Sequence, residues 1–277
     1  MASEHIADLV TKVEELAKGD AAILVLEGDT DASVLQATLG AAEFFIAGGR
    51  NDALGVAKEI PGSPALAKSA VVVVDADFDR ITGKVTEYHD QLHVIFTDAH
   101  DMEVMIISVE EVRRRVLTTV LRCSLVESIG IWTQALALEV EVALARLVSH
   151  LQGWNVRLGG LDRERVLGAD GEVNRGRLAA EFTSRLRAGG VDIGPGELIQ
   201  LMSSEEVAAA EWSQLVNGHD LCKSLTWFAR RSIGASTSGR EIESALRVAF
   251  QTSHLSTSRL ADRIRTWCLA TGRAALI

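Results

Sequence analysis

At 277 residues the chain can bury a core without disulfide or metal staples, and it has room for one large or two small domains. With 47% hydrophobic residues, 24% charged residues and only 3 prolines it reads as neither disordered nor collagen-like, and no apolar run approaches the ~20 residues that span a bilayer. A net charge of −10 speaks against a protein that coats nucleic acid, yet residues 1–112 carry 7 basic and 21 acidic side chains while residues 113–277 carry 21 and 17.

In chain order, Ile6, Leu9, Val10, Val13 and Leu16 recur at helical spacing, so an amphipathic helix opens the sequence. This charged opening is unlike a signal peptide. Ala22–Leu26 is a short apolar run of the kind that forms a strand buried on both faces. A helix over Asp31–Leu39, a strand over Phe44–Ala47 and a helix over Asn51–Ile60 follow. The β-branched Val71–Val74 and the segment Leu92–Phe96 supply the third and fourth strands. Alternation of strands and helices predicts a parallel sheet of about four strands.

After Ser108 the pattern turns helical. Ser108 with Glu111, Ser203 with Glu206 and Ser238 with Glu241 read as capping boxes. Helical stretches run from Val109 to about Arg122, from Ser124 to about Leu151 and near 177–187, 204–216, 219–232, 238–252 and 257–270. Residues 153–195, rich in Gly, Asp and Arg, suit a loop or small insertion. The expected division is an α/β domain over 1–110 and an all-helical domain over 111–277. Cys123, Cys222 and Cys268 are odd in number and lack CxxC spacing, so they read as reduced thiols of a cytoplasmic protein.

Ligands of open parallel sheets bind beyond the carboxyl ends of the strands. Those ends carry Glu27-Gly28-Asp29-Thr30-Asp31, then Gly48-Gly49-Arg50, then Asp75-Ala76-Asp77-Phe78-Asp79, then Thr97-Asp98-Ala99-His100-Asp101-Met102-Glu103. Crowded carboxylates cost free energy unless a cation sits among them, and hard oxygen donors favour Mg2+ or Mn2+. Gly48 and Gly49 allow close approach of a phosphate that Arg50 can neutralise. Asp29, Asp52 and Asp79 fit solvated turns, and Asp31 also fits a helix cap. His100 suits a general base or a group that orients water. The five tryptophans lie on helical patterns and read as core. Arg259 and Arg263 share a helix face at i, i+4, where they suit phosphates flanking a metal site or a solvated surface.

Glu27-Gly28-xx-Asp31 followed by Asp75-Ala76-Asp77 resembles the Toprim superfamily. Within that group the chain resembles the bacterial domain-of-unknown-function 4435 family, related to the overcoming-lysogenization-defect nucleases. That similarity extends to Asn217-Gly218-His219-Asp220-Leu221 and Thr252-Ser253-His254. It implies a four-stranded parallel sheet between helices, with Glu27 as a metal-assisted acid or base at the ion. It further implies Asp75 and Asp77 as Mg2+ ligands, with Asp31 and Glu103 toward a second ion. Nucleases of the superfamily often add a lysine; here Lys84 lies several residues away, and Arg50 is the candidate substitute.

The expected activity is Mg2+-dependent hydrolysis of phosphodiesters in DNA or RNA. The resemblance adds a role in defence against phage, beside an ABC-type ATPase partner. The rival reading is a non-catalytic module that binds such an ATPase. No membrane association is expected, and a homo-oligomer stays open.

Overall fold

The computed structural model describes residues 2–40, 42–85, 93–154, 156, 160–168 and 171–273. The chain forms two compact units, one from residues 1–113 with 244–277 and the other from 114–243.

The first unit is an α/β layer structure. Four strands, β1 (Ala22–Leu26), β2 (Ala42–Ile46), β3 (Ala70–Val74) and β4 (Val94–Phe96), form an all-parallel sheet in the order β2-β1-β3-β4. β1 and β3 are central and wholly buried, which explains why both are uninterrupted apolar runs. The expected fourth strand shortens to three residues, and Leu92 lies outside the described residues. Helices α1 (Ala2–Leu16), α2 (Asp29–Thr38), α3 (Arg50–Glu59) and α4 (Pro64–Ser69) alternate with the strands. Leu9 and Val13 of α1, Val56 of α3 and Leu66 of α4 enclose one core with Ile23, Val25, Val72 and Phe96 of the sheet.

Two local expectations change. Ser108 opens no helix: its hydroxyl donates to the Val104 carbonyl at 2.7 Å, closing α5 (Met102–Ser108). The cap lies at Asp101, whose side chain accepts from Val104 N at 2.8 Å. A further helix, α6 (Glu110–Leu121), then follows.

The larger correction concerns residues 244–277, expected in the helical domain. α16 (Arg259–Thr271) packs against β4 and α4. Arg273 donates at 2.9 Å to the Lys68 carbonyl, and also to the Asp20 carbonyl and the Ser69 hydroxyl. A bare edge strand exposes apolar side chains and unpaired amides; a covering helix removes both liabilities. All three β4 residues are buried, whereas the β2 edge is only partly so.

The second unit is helical. Its spine is α7 (Leu125–Leu151), opened by a capping box of Ser124 and Glu127. α8 (Arg163–Val166), α9 (Arg175–Ala188), α10 (Pro195–Met202), α11 (Glu205–Ala208), α12 (Trp212–Leu215) and α13 (Gly218–Ile233) follow, with α13 packed along α7. The residue before α11 is Ser204, not the Ser203 expected from sequence, and its side chain makes no capping hydrogen bond. The Ser238–Glu241 box before α14 (Gly239–Ala249) forms as expected: Ser238 N donates at 2.6 Å to Glu241 and Glu241 N at 3.3 Å to Ser238. α15 (Thr252–Leu255), part of the first unit, begins where His254 Nδ1 accepts from Gln251 N at 2.9 Å. All five tryptophans are half-buried and none is fully in the core, the usual compromise for so large a ring. Among the described residues no helix is long and apolar enough to cross a membrane.

A candidate acidic site at the carboxyl end of the sheet

The chain steps from β1 outward to β2 and then returns past β1 to β3, so the strand order reverses between β1 and β3. Ligand crevices of open α/β sheets form at such a point. Glu27 follows β1 there and Asp75 follows β3, and the two are joined: the Asp75 backbone N–H donates to Glu27 Oε1 at 2.8 Å.

Arg50 lies at the centre. Its Nη2 donates to Asp79 Oδ2 at 2.5 Å, and its Nη1 lies 3.5 Å from Glu27 Oε1 and 3.2 Å from Asp77 Oδ2. Nη1 also donates to the Asp75 carbonyl. The guanidinium thus binds the ends of β1 and β3 from the start of α3, with its carbon 5.9 Å from the Phe96 ring centre. The sequence reading assigned Arg50 to a phosphate; in this structure it holds carboxylates. Asp79, read as a solvated turn, is instead buried against Arg50.

Gly49 explains how Arg50 arrives there. Its φ of 146° and ψ of 167° belong to a region essentially restricted to glycine. A Cβ at Gly49 would meet nothing within 4 Å, so backbone conformation and not space demands glycine. Asp77 also has positive φ, 44°, which Asp tolerates better than most residues. This turn leaves its carboxylate half exposed, while its N–H donates to the His100 carbonyl at 2.7 Å. The His100 ring is buried, 3.7 Å from Asp77 and edge-on to Phe78.

The remaining acids separate. Asp31 is buried in the first turn of α2; the cap position falls to Gly28, so Asp31 is no cap. Glu103 is buried at the start of α5, 3.1 Å from Arg247 Nη1. Asp101 was not singled out from sequence, because its capping role resembles that of any helix-starting aspartate. Its charge nevertheless acts on Asp75, whose Oδ1 accepts from Met102 N at 3.1 Å.

The electrostatics follow from burial and like charge. Burial pushes the Glu27 carboxyl up to about 7; the Asp75 amide and Arg50 oppose this, while Asp77 and Asp31 add repulsion. Burial holds Asp75 well above the usual carboxylate range, reinforced by Asp101, Asp31, Glu27 and Asp77. Among the described residues, no three His, Cys, Asp or Glu side chains are arranged to hold an ion. The donor chemistry is all hard oxygen, however, and the repulsion raising Glu27 and Asp75 is of the kind that a divalent cation relieves.

No protein-family model matches the chain, and no curated protein matches its sequence.

Proposed function

We propose that the chain is a Toprim-like, Mg2+- or Mn2+-dependent phosphodiesterase acting on nucleic acid. One observation carries this reading: Glu27 and Asp75 are buried and joined at 2.8 Å at the reversal point of a parallel sheet, with Asp31 and Asp77 repelling both. In this reading Asp75 and Asp77 hold the ion with Asp31 nearby, and Glu27 gives or takes the proton. A bound divalent ion there polarises a phosphoryl oxygen and stabilises the charge that builds on it. Gly48 and Gly49 keep side chains away from the start of α3, and Arg50 shares its charge between carboxylates and an incoming phosphate. His100, 3.7 Å from Asp77, serves as a base or orients water there.

A second reading draws on Arg50 itself. A guanidinium already paired with three carboxylates offsets part of the rim's charge without metal. That suits a non-catalytic module docking on a partner ATPase, as the sequence resemblance also implies.

Incubation of the pure protein with single-stranded DNA, duplex DNA and RNA, in Mg2+, Mn2+ or EDTA, separates the two. Cleavage that needs the ion and disappears in Asp77→Asn supports the phosphodiesterase. Intact substrates in every arm, with Mn2+ leaving the thermal melt unmoved, would exclude it in favour of the module.

A further inference from the structure

Three arginines gather at the carboxyl end of β4, beside the acidic rim. Arg80 donates from Nε to the Thr97 carbonyl at 3.1 Å and from Nη2 to the Phe96 carbonyl at 3.4 Å. Arg263, on α16, donates to the same Phe96 carbonyl at 3.2 Å and lies 3.9 Å from Asp98 Oδ1. Arg259 starts α16, and its backbone N–H donates to Asp98 Oδ2 at 2.6 Å. Its side chain is exposed.

Asp98 thus pairs with the Arg263 guanidinium and with the backbone N–H of Arg259, at the strand end where Arg80 also lies. The next arginine on the helix, Arg265, is paired with Asp262 and does not add to the cluster. The crowding has an energetic signature: the charged form of Arg80 is disfavoured first by burial, then by Arg263 and Arg259, with Asp98 opposing. Cations assembled in excess of their anions are unfavourable until an outside anion joins them.

Position gives the cluster its meaning. Adjacent strands lie ~4.8 Å apart, so the ends of β3 and β4 are neighbours on one rim. The Asp77 N–H to His100 carbonyl bond ties the loops after these strands together. A polyanion lying across the rim would therefore meet the carboxylates at one phosphate and the arginines at an adjacent one. Charge distribution agrees. Residues 244–277 carry 5 basic and 1 acidic side chain and belong to the sheet unit, whereas residues 114–243 carry 15 basic and 16 acidic. The expected basic helical domain is thus nearly neutral, and the surplus positive charge sits in the unit that carries the acids.

We propose that Arg80, Arg259 and Arg263 hold a phosphate next to the scissile one, so that oligonucleotides are better substrates than mononucleotide-sized diesters. The proposal rests on the phosphodiesterase reading of the rim, and the test separates the two. Arg259→Glu is the informative variant, because that side chain is exposed. With Mn2+, the ratio of oligonucleotide to bis(p-nitrophenyl) phosphate hydrolysis at low substrate should fall about tenfold against the parent. For a single-stranded oligonucleotide KM should rise about tenfold with kcat unchanged. In Ca2+, binding of a labelled oligonucleotide should weaken, its salt slope should flatten by about 1–2, and Arg259→Lys should restore most of both. Equal oligonucleotide affinity and slope in parent and Arg259→Glu overturn the arginine site even if both substrates are cleaved. Affinity that depends on Arg259, with neither substrate cleaved by the parent, sustains the arginine site and sinks the phosphodiesterase reading. A parent that binds no oligonucleotide at low salt overturns the arginine site outright.

Discussion

Arg50 and Asp75 show how single residues set the character of the rim. Arg50 offsets the charge of Glu27, Asp77 and Asp79 from a largely buried position. Removing one partner of such a cluster leaves the others desolvated and unpaired, at a cost of about 3 kcal/mol. Arg50→Met should therefore melt lower than the parent in EDTA, and Mn2+ should raise its melting temperature more than the parent's, since the ion replaces the lost cation. Equal Mn2+ shifts in the two proteins would show that the ion does not share the guanidinium's partners. Asp75 behaves in the opposite sense. Its charge is opposed by burial and by four neighbouring carboxylates. Asp75→Asn should abolish hydrolysis and, in EDTA, raise stability by about 1 kcal/mol, as read by denaturant unfolding. A loss of stability instead would make the Met102 N–H bond to Asp75 a structural tie that requires the charge.

Among the elements, the long helix α7 carries a buried acid of its own. Glu139 is 3% exposed; it accepts from the Ser224 hydroxyl of α13 and lies 3.4 Å from Arg163 of α8. Arg163 Nε also donates to the Ser224 oxygen at 2.7 Å, and Arg146 of α7 pairs with Asp220 at 2.6 Å. Burial raises the Glu139 carboxyl, while the Ser224 bond and Arg163 pull it back. The folded state therefore holds its proton to higher pH than the unfolded chain does. Between the two values the folded state binds more protons, so this contribution is greatest on the acid side and falls as pH rises. Glu139→Gln keeps an acceptor for Ser224 and removes the titration. Its stability relative to the parent should climb as pH rises above about 4.5. Denaturant unfolding across a pH series checks this, and a constant difference between the proteins would refute it. His219 belongs to the same helical unit, 3.0 Å from Glu243, which accounts for it without catalysis.

For the whole molecule, the decisive feature is that both ends of the chain build the sheet unit. Deleting residues 244–277 would strip β4 of its covering helix and remove the Arg273 bonds to Lys68, Asp20 and Ser69. The shortened chain should lose the cooperative melting of the α/β unit and bind a hydrophobic dye, whereas helical circular dichroism from residues 114–243 should persist. Unchanged melting would show that 1–113 folds without its C-terminal cover. The sequence by itself determined the parallel four-stranded sheet, the places of β1 and β3, and the convergence of Glu27, Asp75 and Asp77 at one rim. The strands follow from apolar runs and the acids from the residues just after them, and the meeting of Glu27 and Asp75, 48 positions apart, needs in addition only that β1 lie beside β3. Only the tertiary structure decided that Arg50 pairs with those acids, that Glu103 pairs with Arg247, and that α16 returns to β4. These pairings join residues 23 to 167 positions apart, as Arg50 with Glu27 and Arg263 with the Phe96 carbonyl. Side chains so distant meet only once strand order and edge burial are settled, and both depend on how the whole chain removes apolar surface from water.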